Sequence, residues 1–254
     1  MLASTKRTRE RILLFGGMGT GKSLSWLTIA RRAQKSGSNA KFYCLDTDQA
    51  IDRMIDEGFS ELQNVEIKNV FEWPEYEAGL KKFLDNVKPD DWLITDMIDM
   101  AWEAVQAYFT DEVFNKDIGA YFLEARKAMT DKDKKLNTFE GWRDWTVINK
   151  LYLSWINKLI FRAPCHVLCT AKAEPINSDT DNKELRMVYG PYGARPKGQK
   201  HLGHNFHTVL FLQKVKHDDY RFTTVKDRER KAAEGEKLID FVLQYLVPKA
   251  KWKL

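Results

Sequence analysis

The chain has 254 residues, of which 43% are hydrophobic and 30% charged, so it can bury a sizeable core and wholesale disorder is excluded. Lys and Arg outnumber Asp and Glu by 41 to 36, and the net charge is only +5, so a nucleic-acid surface requires local clusters of cations. No apolar run approaches the ~20 residues of a membrane helix, and no secretion signal is evident. Three cysteines cannot all pair, and each lies in an apolar run, so we expect a reducing, cytoplasmic compartment. The short apolar runs also lead us to expect no membrane partner.

Strand-like and helix-like patterns alternate over the first hundred residues. The predicted strands are residues 11–15, 40–45, 65–70 and 92–95. The predicted helices between them are residues 22–36, 49–57 and 75–87. Such alternation is typical of βαβ units, and it predicts an α/β fold with a mainly parallel sheet flanked by helices.

The second half of the chain departs from this alternation, although we expect residues 1–254 to form a single domain. The predicted segments are a helix at 101–109, a helical insertion at 111–141, an amphipathic helix at 142–161, a strand at 166–170, a long loop at 173–205, late strands at 208–213 and 220–225, a terminal helix at 237–246 and a basic tail at 247–254. The two late strands are expected to pair as an antiparallel hairpin.

A glycine-rich motif after the first strand carries the strongest chemical signal. It fits G-x-x-x-x-G-K-[ST], the pattern of the P-loop, and it opens a predicted helix. Glycines let backbone N–H groups surround phosphate oxygens, while the helix N-terminus adds positive potential. The predicted ATP-binding residues are Gly16, Gly17, Met18, Gly19, Thr20, Gly21, Lys22, Ser23 and Leu24. Within this set, Lys22 is expected to reach the β- and γ-phosphates, and the Ser23 hydroxyl to bind Mg²⁺.

Acidic residues at strand ends complete the predicted site. Asp96 follows four hydrophobic or β-forming residues, and we expect it to hold a water bound to Mg²⁺. Met97 follows it, whereas the AAA+ pattern has Glu there, so the acid that orients water must come from elsewhere. Asp46 and Asp48 end the second strand and are the two candidates.

Several segments together resemble the RecA-like core. Two predicted strands lie between the P-loop and Asp96, which suits the P-loop branch that inserts a strand between these elements. Residues 42–52 resemble the RecA segment with the catalytic Glu, and this match assigns that role to Asp48. Residues 166–172 resemble the strand whose end senses the γ-phosphate, where Thr170 or Lys172 would serve. More narrowly, the layout is similar to phage nucleotide-binding and single-strand annealing proteins related to RecA.

A late strand ends in Lys226 and Arg228, and this ending resembles DnaB-type and related RecA-like ATPases. The resemblance implies that the two cations reach a neighbouring subunit's γ-phosphate and stabilise its charge during transfer. It therefore implies self-association into a ring or a filament, with the nucleotide between protomers.

The predicted DNA-binding residues lie in or beside the long loop. No Asp or Glu occurs between residues 186 and 217, although average composition predicts about four or five there. Basic groups neutralise phosphates and exposed tyrosines stack on unpaired bases. The RecA loop at this position binds single-stranded DNA, which agrees. The candidates are Arg186, Tyr189, Tyr192, Arg195, Lys197 and Lys200.

The sequence thus predicts a Mg²⁺-dependent ATPase that acts on single-stranded DNA in recombination, annealing or replication. A motor for DNA packaging or an ATPase for helicase loading shares the same core and remains open. A nucleotide-gated interaction protein with little hydrolysis also remains open, since Asp48 is shorter than the Glu that it replaces. A small-molecule kinase is the fourth alternative, although no arginine-rich lid is evident.

Overall fold

The computed structural model describes residues 9–128, 139–177, 183–228 and 233–246. Its strands are β1 (Arg11–Gly16), β2 (Phe42–Asp46), β3 (Val65–Asn69), β4 (Trp92–Asp96), β5 (His166–Pro175), β6 (Ala194–Pro196), β7 (Thr208–Lys216), β8 (Asp219–Asp227) and β9 (Glu236–Lys237). Its α-helices are α1 (Lys22–Lys35), α2 (Ala50–Met54), α3 (Trp73–Leu84), α4 (Ile98–Phe114), α5 (Ile118–Ala128), α6 (Gly141–Ile156) and α7 (Lys183–Tyr189). Within the described residues, no helix is long and apolar enough to span a membrane.

The strands form a nine-stranded sheet in the order β3-β2-β4-β5-β1-β7-β8-β9, with β6 paired to the end of β5. Every pair from β3 to β7 along this order is parallel, whereas β8 and β9 are antiparallel. The predicted α/β class, the mainly parallel sheet and the late antiparallel hairpin are therefore confirmed.

The order of the central strands gathers the ends of four strands at one edge of the sheet. β5 lies between β1 and β4, as the resemblance implied. In the strand register Gly16 pairs with Lys172, and Asp46 pairs with Asp96. Because parallel strands end at the same edge, the P-loop and the predicted acids are brought together there.

Both faces of the sheet are buried. Along β1, Leu13 and Phe15 join a core with α3, α4 and α6, while Ile12 and Leu14 join a second core with α1. This alternation follows from the two-residue period of a strand. The nearly continuous apolar strands follow from coverage on both faces, which is usual for parallel sheets.

The amphipathic helix predicted at 142–161 is α6 followed by a π-helical turn, Asn157–Arg162. The later part of its apolar stripe is buried, for example at Tyr152 and Trp155. The start of the stripe is not, because Trp142 is 87% exposed and Trp145 is 41% exposed. The prediction that the whole stripe faces the core is wrong at this end of the helix.

Two other predictions need correction. Residues 173–205 are not one long loop: they contain α7 and β6, β5 continues to Pro175, and residues 178–182 lie outside the described part. The terminal helix predicted at 237–246 is only the turn 241–246, because Glu236–Lys237 pairs as β9 beside β8. Of the insertion at 111–141, the end of α4 and all of α5 are described, and residues 129–138 are not; the basic tail also lies outside the described residues.

Candidate functional site

The P-loop joins β1 to α1 and has the backbone that its glycines predict. Gly19 has φ of 68° and Gly21 of 88°, conformations that side chains other than glycine rarely adopt. At Gly16 the constraint is space, because a Cβ atom would lie 2.4 Å from the Leu212 carbonyl oxygen on β7. Glycine is thus required at two positions for the left-handed backbone conformation, and at a third for the close approach of the backbone to β7.

Lys22, the first residue of α1, folds back over the loop. Its ammonium donates hydrogen bonds to the carbonyls of Gly16 at 3.1 Å and Gly17 at 2.8 Å. Burial lowers the pKa of Lys22, and the carboxylates of Asp96, Asp99 and Asp48 partly oppose this shift. The lysine therefore lies within the loop with three acids near enough to act on its charge.

Asp96 is buried at the end of β4, and its carboxylate accepts hydrogen bonds from two other elements. Trp26 Nε1 on α1 donates to Oδ2 at 2.9 Å, and the Thr170 hydroxyl on β5 donates to Oδ1. The Ser23 hydroxyl lies near enough to this carboxylate to affect its charge. Burial raises the pKa of Asp96, and the side chains of Thr170, Trp26 and Ser23 lower it. The predicted pair of Ser23 and Asp96 therefore lies close together, and both side chains end in oxygen atoms, the ligands that Mg²⁺ prefers.

The two acids that follow β2 differ in their surroundings. Asp46 is buried, and its carboxylate accepts from the backbone N–H of Asp48 at 3.3 Å and of Ile51 at 3.1 Å. Burial raises the pKa of Asp46 to about 6. Asp48 is exposed, and its carboxylate accepts only a 3.3 Å contact from the N–H of Ala50 among the described bonds. Asp46 therefore shapes the turn, and Asp48 faces solvent at the same sheet edge.

Asp99, in the first turn of α4, is a residue that the sequence analysis missed. It is fully buried, and its Oδ1 accepts from the Lys172 N–H at 3.1 Å. Its Oδ2 has no hydrogen-bond partner within the described part of the chain. Burial raises the pKa of Asp99. Its position three residues after Asp96, in the first turn of the helix that follows β4, was the available signal.

The two candidates at the end of β5 have separate roles in the structure. Thr170 is buried and bonds Asp96, as described above. The Lys172 ammonium lies 3.5 Å from the sulfur of Met100, and its backbone N–H holds Asp99. Both residues therefore lie at the sheet edge that carries the P-loop.

The two cations predicted at the end of β8, Lys226 and Arg228, have different surroundings. The Lys226 ammonium donates to the carbonyls of Gly203 at 3.0 Å, His204 at 3.2 Å and Phe206. Lys226 is thus used within its own chain to hold the turn before β7. Arg228 is exposed just after β8.

Three of the predicted DNA-binding residues lie on α7 and the turn after it. Arg186 is exposed. Tyr189 is buried and packs edge-on against Phe15, with ring centroids 6.1 Å apart, so the expectation of an exposed stacking ring is wrong there. Tyr192 is half-buried with its ring edge-on to Phe211 at 6.4 Å.

The other three lie between β6 and the turn before β7, and two of them are paired with acids. Arg195 bonds Glu174 at 2.6 Å, and Lys197 bonds Glu103 at 2.5 Å. Lys200 is exposed. Carboxylates on α4 and β5 therefore pair with cations in a stretch that has no acidic residue of its own. Position in the sequence alone does not reveal these ion pairs.

A cavity of about 450 Å³, here called the α1 cavity, adjoins the P-loop. One wall is the loop and the first turns of α1. The opposite wall is formed by residues from separate parts of the chain, namely Met54, Tyr220, Leu238 and Phe241. The arrangement places a mostly apolar space directly beside the backbone that would hold phosphates.

Comparisons with known proteins agree with this architecture. The crystal structure of the RadB recombinase superposes with a TM-score of 0.51 over 89% of this chain and 84% of that one. The two sequences are 12% identical, so the likeness concerns the fold. No curated protein matches the chain in sequence.

The sequence also matches a family model described as an AAA domain over residues 8–241, nearly the whole chain. This range includes the P-loop, Asp96 and all nine strands. With a RecA-like arrangement of its sheet and its P-loop, the chain belongs to this AAA domain family of P-loop ATPases.

Proposed function

We propose that the chain, acting as a single domain, binds ATP with Mg²⁺ and hydrolyses it slowly while acting on single-stranded DNA. The observation that carries the proposal is the glycine loop that contains the Lys22 ammonium, with the buried carboxylate of Asp96 at the same edge of the sheet. These are the groups that a triphosphate and its metal ion require, in the positions where they are required. The likeness to the RadB recombinase supports recombination among the proposed roles; annealing and replication, of the phage type related to RecA, are the others that we propose.

Each residue of the site has its own role in binding the nucleotide and the metal ion. Lys22 exchanges its two loop carbonyls for β- and γ-phosphate oxygens, because a buried ammonium gains more from an anion than from neutral acceptors. Ser23 would hold Mg²⁺ directly and Asp96 would hold it through a water. When bound, the metal ion would supply positive charge to neutralise the phosphates. The α1 cavity receives the nucleoside, with Tyr220 and Phe241 facing its apolar parts.

Asp48 is the acid that we assign to orienting the attacking water. Both oxygens of Asp46 already accept backbone N–H groups, whereas Asp48 lies exposed at the sheet edge and acts on the charge of Lys22. Asp46 is the fallback assignment. Arg228, rather than Lys226, is the cation that we propose reaches a neighbouring protomer, because Lys226 already holds three carbonyls in its own chain.

The test is ATP turnover with and without a single-stranded oligonucleotide. We expect turnover that requires Mg²⁺ and increases with DNA. Asp48→Asn should lower it by about 100-fold while ATP affinity changes little, because positioned acid–base groups contribute about 10²–10⁴ in rate. Turnover that persists in Lys22→Ala would contradict the assignment of the site. Clear ATP affinity with a negligible rate under both conditions would instead indicate a nucleotide-gated interaction protein.

A further inference from the structure

A second cavity lies beyond the nucleotide edge of the sheet and has a volume of about 800 Å³. We call it the aromatic cavity. Its walls come from α4, α6, the end of β5 and residues 195–201. Of the predicted DNA-binding residues, Arg195, Lys197 and Lys200 line it, whereas Arg186, Tyr189 and Tyr192 do not.

Two tryptophans form the aromatic wall. The rings of Trp102 and Trp145 are stacked, with centroids 6.1 Å apart and planes 19° apart. Trp102 is held from behind by the buried ring of Tyr152, edge-on at 5.1 Å. Trp145 contacts Phe139 at 5.4 Å and keeps 41% of its surface exposed. The wall is thus a supported aromatic surface that remains partly exposed at Trp145.

Amide side chains lie beside the tryptophans. Asn149 follows Trp145 by one turn of α6, and its Oδ1 lies 3.4 Å from Nε2 of Gln199 across the cavity. Gln106 on α4 also lines the cavity. Amides offer both donors and acceptors, which is what the edge of a nucleobase requires.

The charges of the cavity are largely balanced, which narrows the choice of ligand. Arg195 is paired with Glu174, and Lys197 with Glu103. Lys200 lies exposed at the rim. A strongly anionic ligand would meet these two carboxylates, whereas a flat, uncharged ring with one phosphate near the rim would not.

The floor of the cavity touches the nucleotide edge of the sheet. The Lys197 N–H donates to the Lys172 carbonyl at 2.7 Å. Gly198, with φ of 109°, lies beside the first turn of α4, where a Cβ atom would contact the Asp99 Cα at 3.4 Å. A ligand in the cavity would therefore contact residues 197–198, which pack against Asp99 and Lys172.

We propose that the aromatic cavity is a subsite for one unpaired base of single-stranded DNA, stacked on Trp145 with its edge toward Asn149 and Gln199. The inference rests on the proposed function, which supplies the DNA. Stacking and amide contacts hold the base, and Lys200 meets the adjoining phosphate. Trp145 and Asn149 lie on α6, outside the segment that the sequence assigned to DNA, so they are an additional part of the interface.

The experiment measures binding of a dye-labelled oligothymidylate to the full chain. Trp145→Ala should weaken binding by about tenfold, in line with the effect of removing one stacking partner. Trp142→Ala is the matched control, because Trp142 lies three residues earlier on α6, is 87% exposed and does not line the cavity. We expect its affinity to equal that of the wild type. Equal affinity for Trp145→Ala would overturn the inference.

A second measurement uses the unaltered protein, so that a folding defect in the variant cannot decide the result. An oligonucleotide with 5-iodouracil is photocrosslinked to the wild type, and the modified peptide is identified by mass spectrometry. Crosslinks at Trp145 or Trp102 support the subsite, and crosslinks exclusively elsewhere overturn it. If the wild type binds no oligonucleotide at all, the DNA part of the proposed function fails as well; if it binds but the cavity is untouched, the subsite alone fails.

Discussion

At the scale of single residues, Asp96 shows how the site is built from separate parts of the chain. Its carboxylate accepts from α1 through Trp26 and from β5 through Thr170, residues 70 and 74 positions away. These bonds offset part of the cost of burying the carboxylate at the end of a strand. They also hold the carboxylate in one orientation, as the role that we propose for Asp96 beside Mg²⁺ requires.

Asp46 gives a prediction at the same scale. Burial raises its pKa from 3.8 to about 6, so between these values the folded protein binds a proton that the unfolded chain releases. The contribution of Asp46 to stability is therefore present at low pH and is lost as the pH rises through about 6. Asp46→Asn cannot ionise and lacks this loss.

We therefore expect the melting temperature of Asp46→Asn, relative to that of the wild type, to increase between pH 4.5 and pH 7.5. Thermal unfolding of both proteins across this range is the measurement. The constant effect of replacing an oxygen by an amide nitrogen cancels in the pH dependence. A difference that stays constant or decreases with pH would contradict the buried environment described for Asp46.

Part of the site was predictable at this scale and part was not. The residues from Gly16 to Ser23 are contiguous, and Asp96 ends an apolar strand, so local patterns were sufficient to identify them. Trp26 and Asp99 were missed because their roles depend on contacts between elements that are distant in sequence. Tyr189 was misjudged for the same reason, since nothing near it in sequence indicates that it packs on Phe15.

At the scale of elements, the P-loop depends on its fit against β7. Gly16 ends β1 beside Leu212, and its missing side chain allows the two backbones to approach. Gly16→Ala should lower the free energy of unfolding by about 1–3 kcal/mol, because overpacking there must displace backbone. It should also weaken ATP binding by moving the start of the loop.

The matched control for this prediction is Gly141→Ala. Gly141 begins α6, and nothing lies within 4 Å of an added Cβ atom. Because alanine favours a helix more than glycine does, stability should stay equal or increase slightly. Chemical denaturation of both variants is the measurement. Wild-type stability in Gly16→Ala would refute the close packing of the loop.

The boundaries of helices and strands were predicted well where a hydrophobic periodicity runs to the end of the element. They were predicted poorly where pairing with a distant strand sets the boundary. β1 and α1 differ from their predicted ranges by a single residue at one end. The segment 173–205 lacks a hydrophobic period, yet it contains β6, which forms by pairing with residues 173–175 of β5. The terminal helix is shortened for the same reason, because residues 236–237 pair with β8 instead.

At the scale of the whole molecule, the sheet order is what unites these parts. β5 enters between β1 and β4, so the P-loop, Asp96 and the segment that lines the aromatic cavity all meet at one edge. The insertion of a strand between β1 and β4 was implied by the resemblance to the RecA-like core, whereas the full order was not predicted. The balance of charge around residues 195–201 was not predictable, because its carboxylates come from α4 and β5.

The central claim is that the loop from Gly16 to Ser23 holds a triphosphate through Lys22. Titration calorimetry with ATP and Mg²⁺ tests it directly, using the wild type, Lys22→Ala and Lys35→Ala, which removes an exposed lysine at the other end of α1. We predict Mg²⁺-dependent binding of equal affinity for the wild type and Lys35→Ala, and loss of detectable binding for Lys22→Ala. Folded wild type that takes up no nucleotide, or Lys22→Ala that binds as the wild type does, would contradict the account.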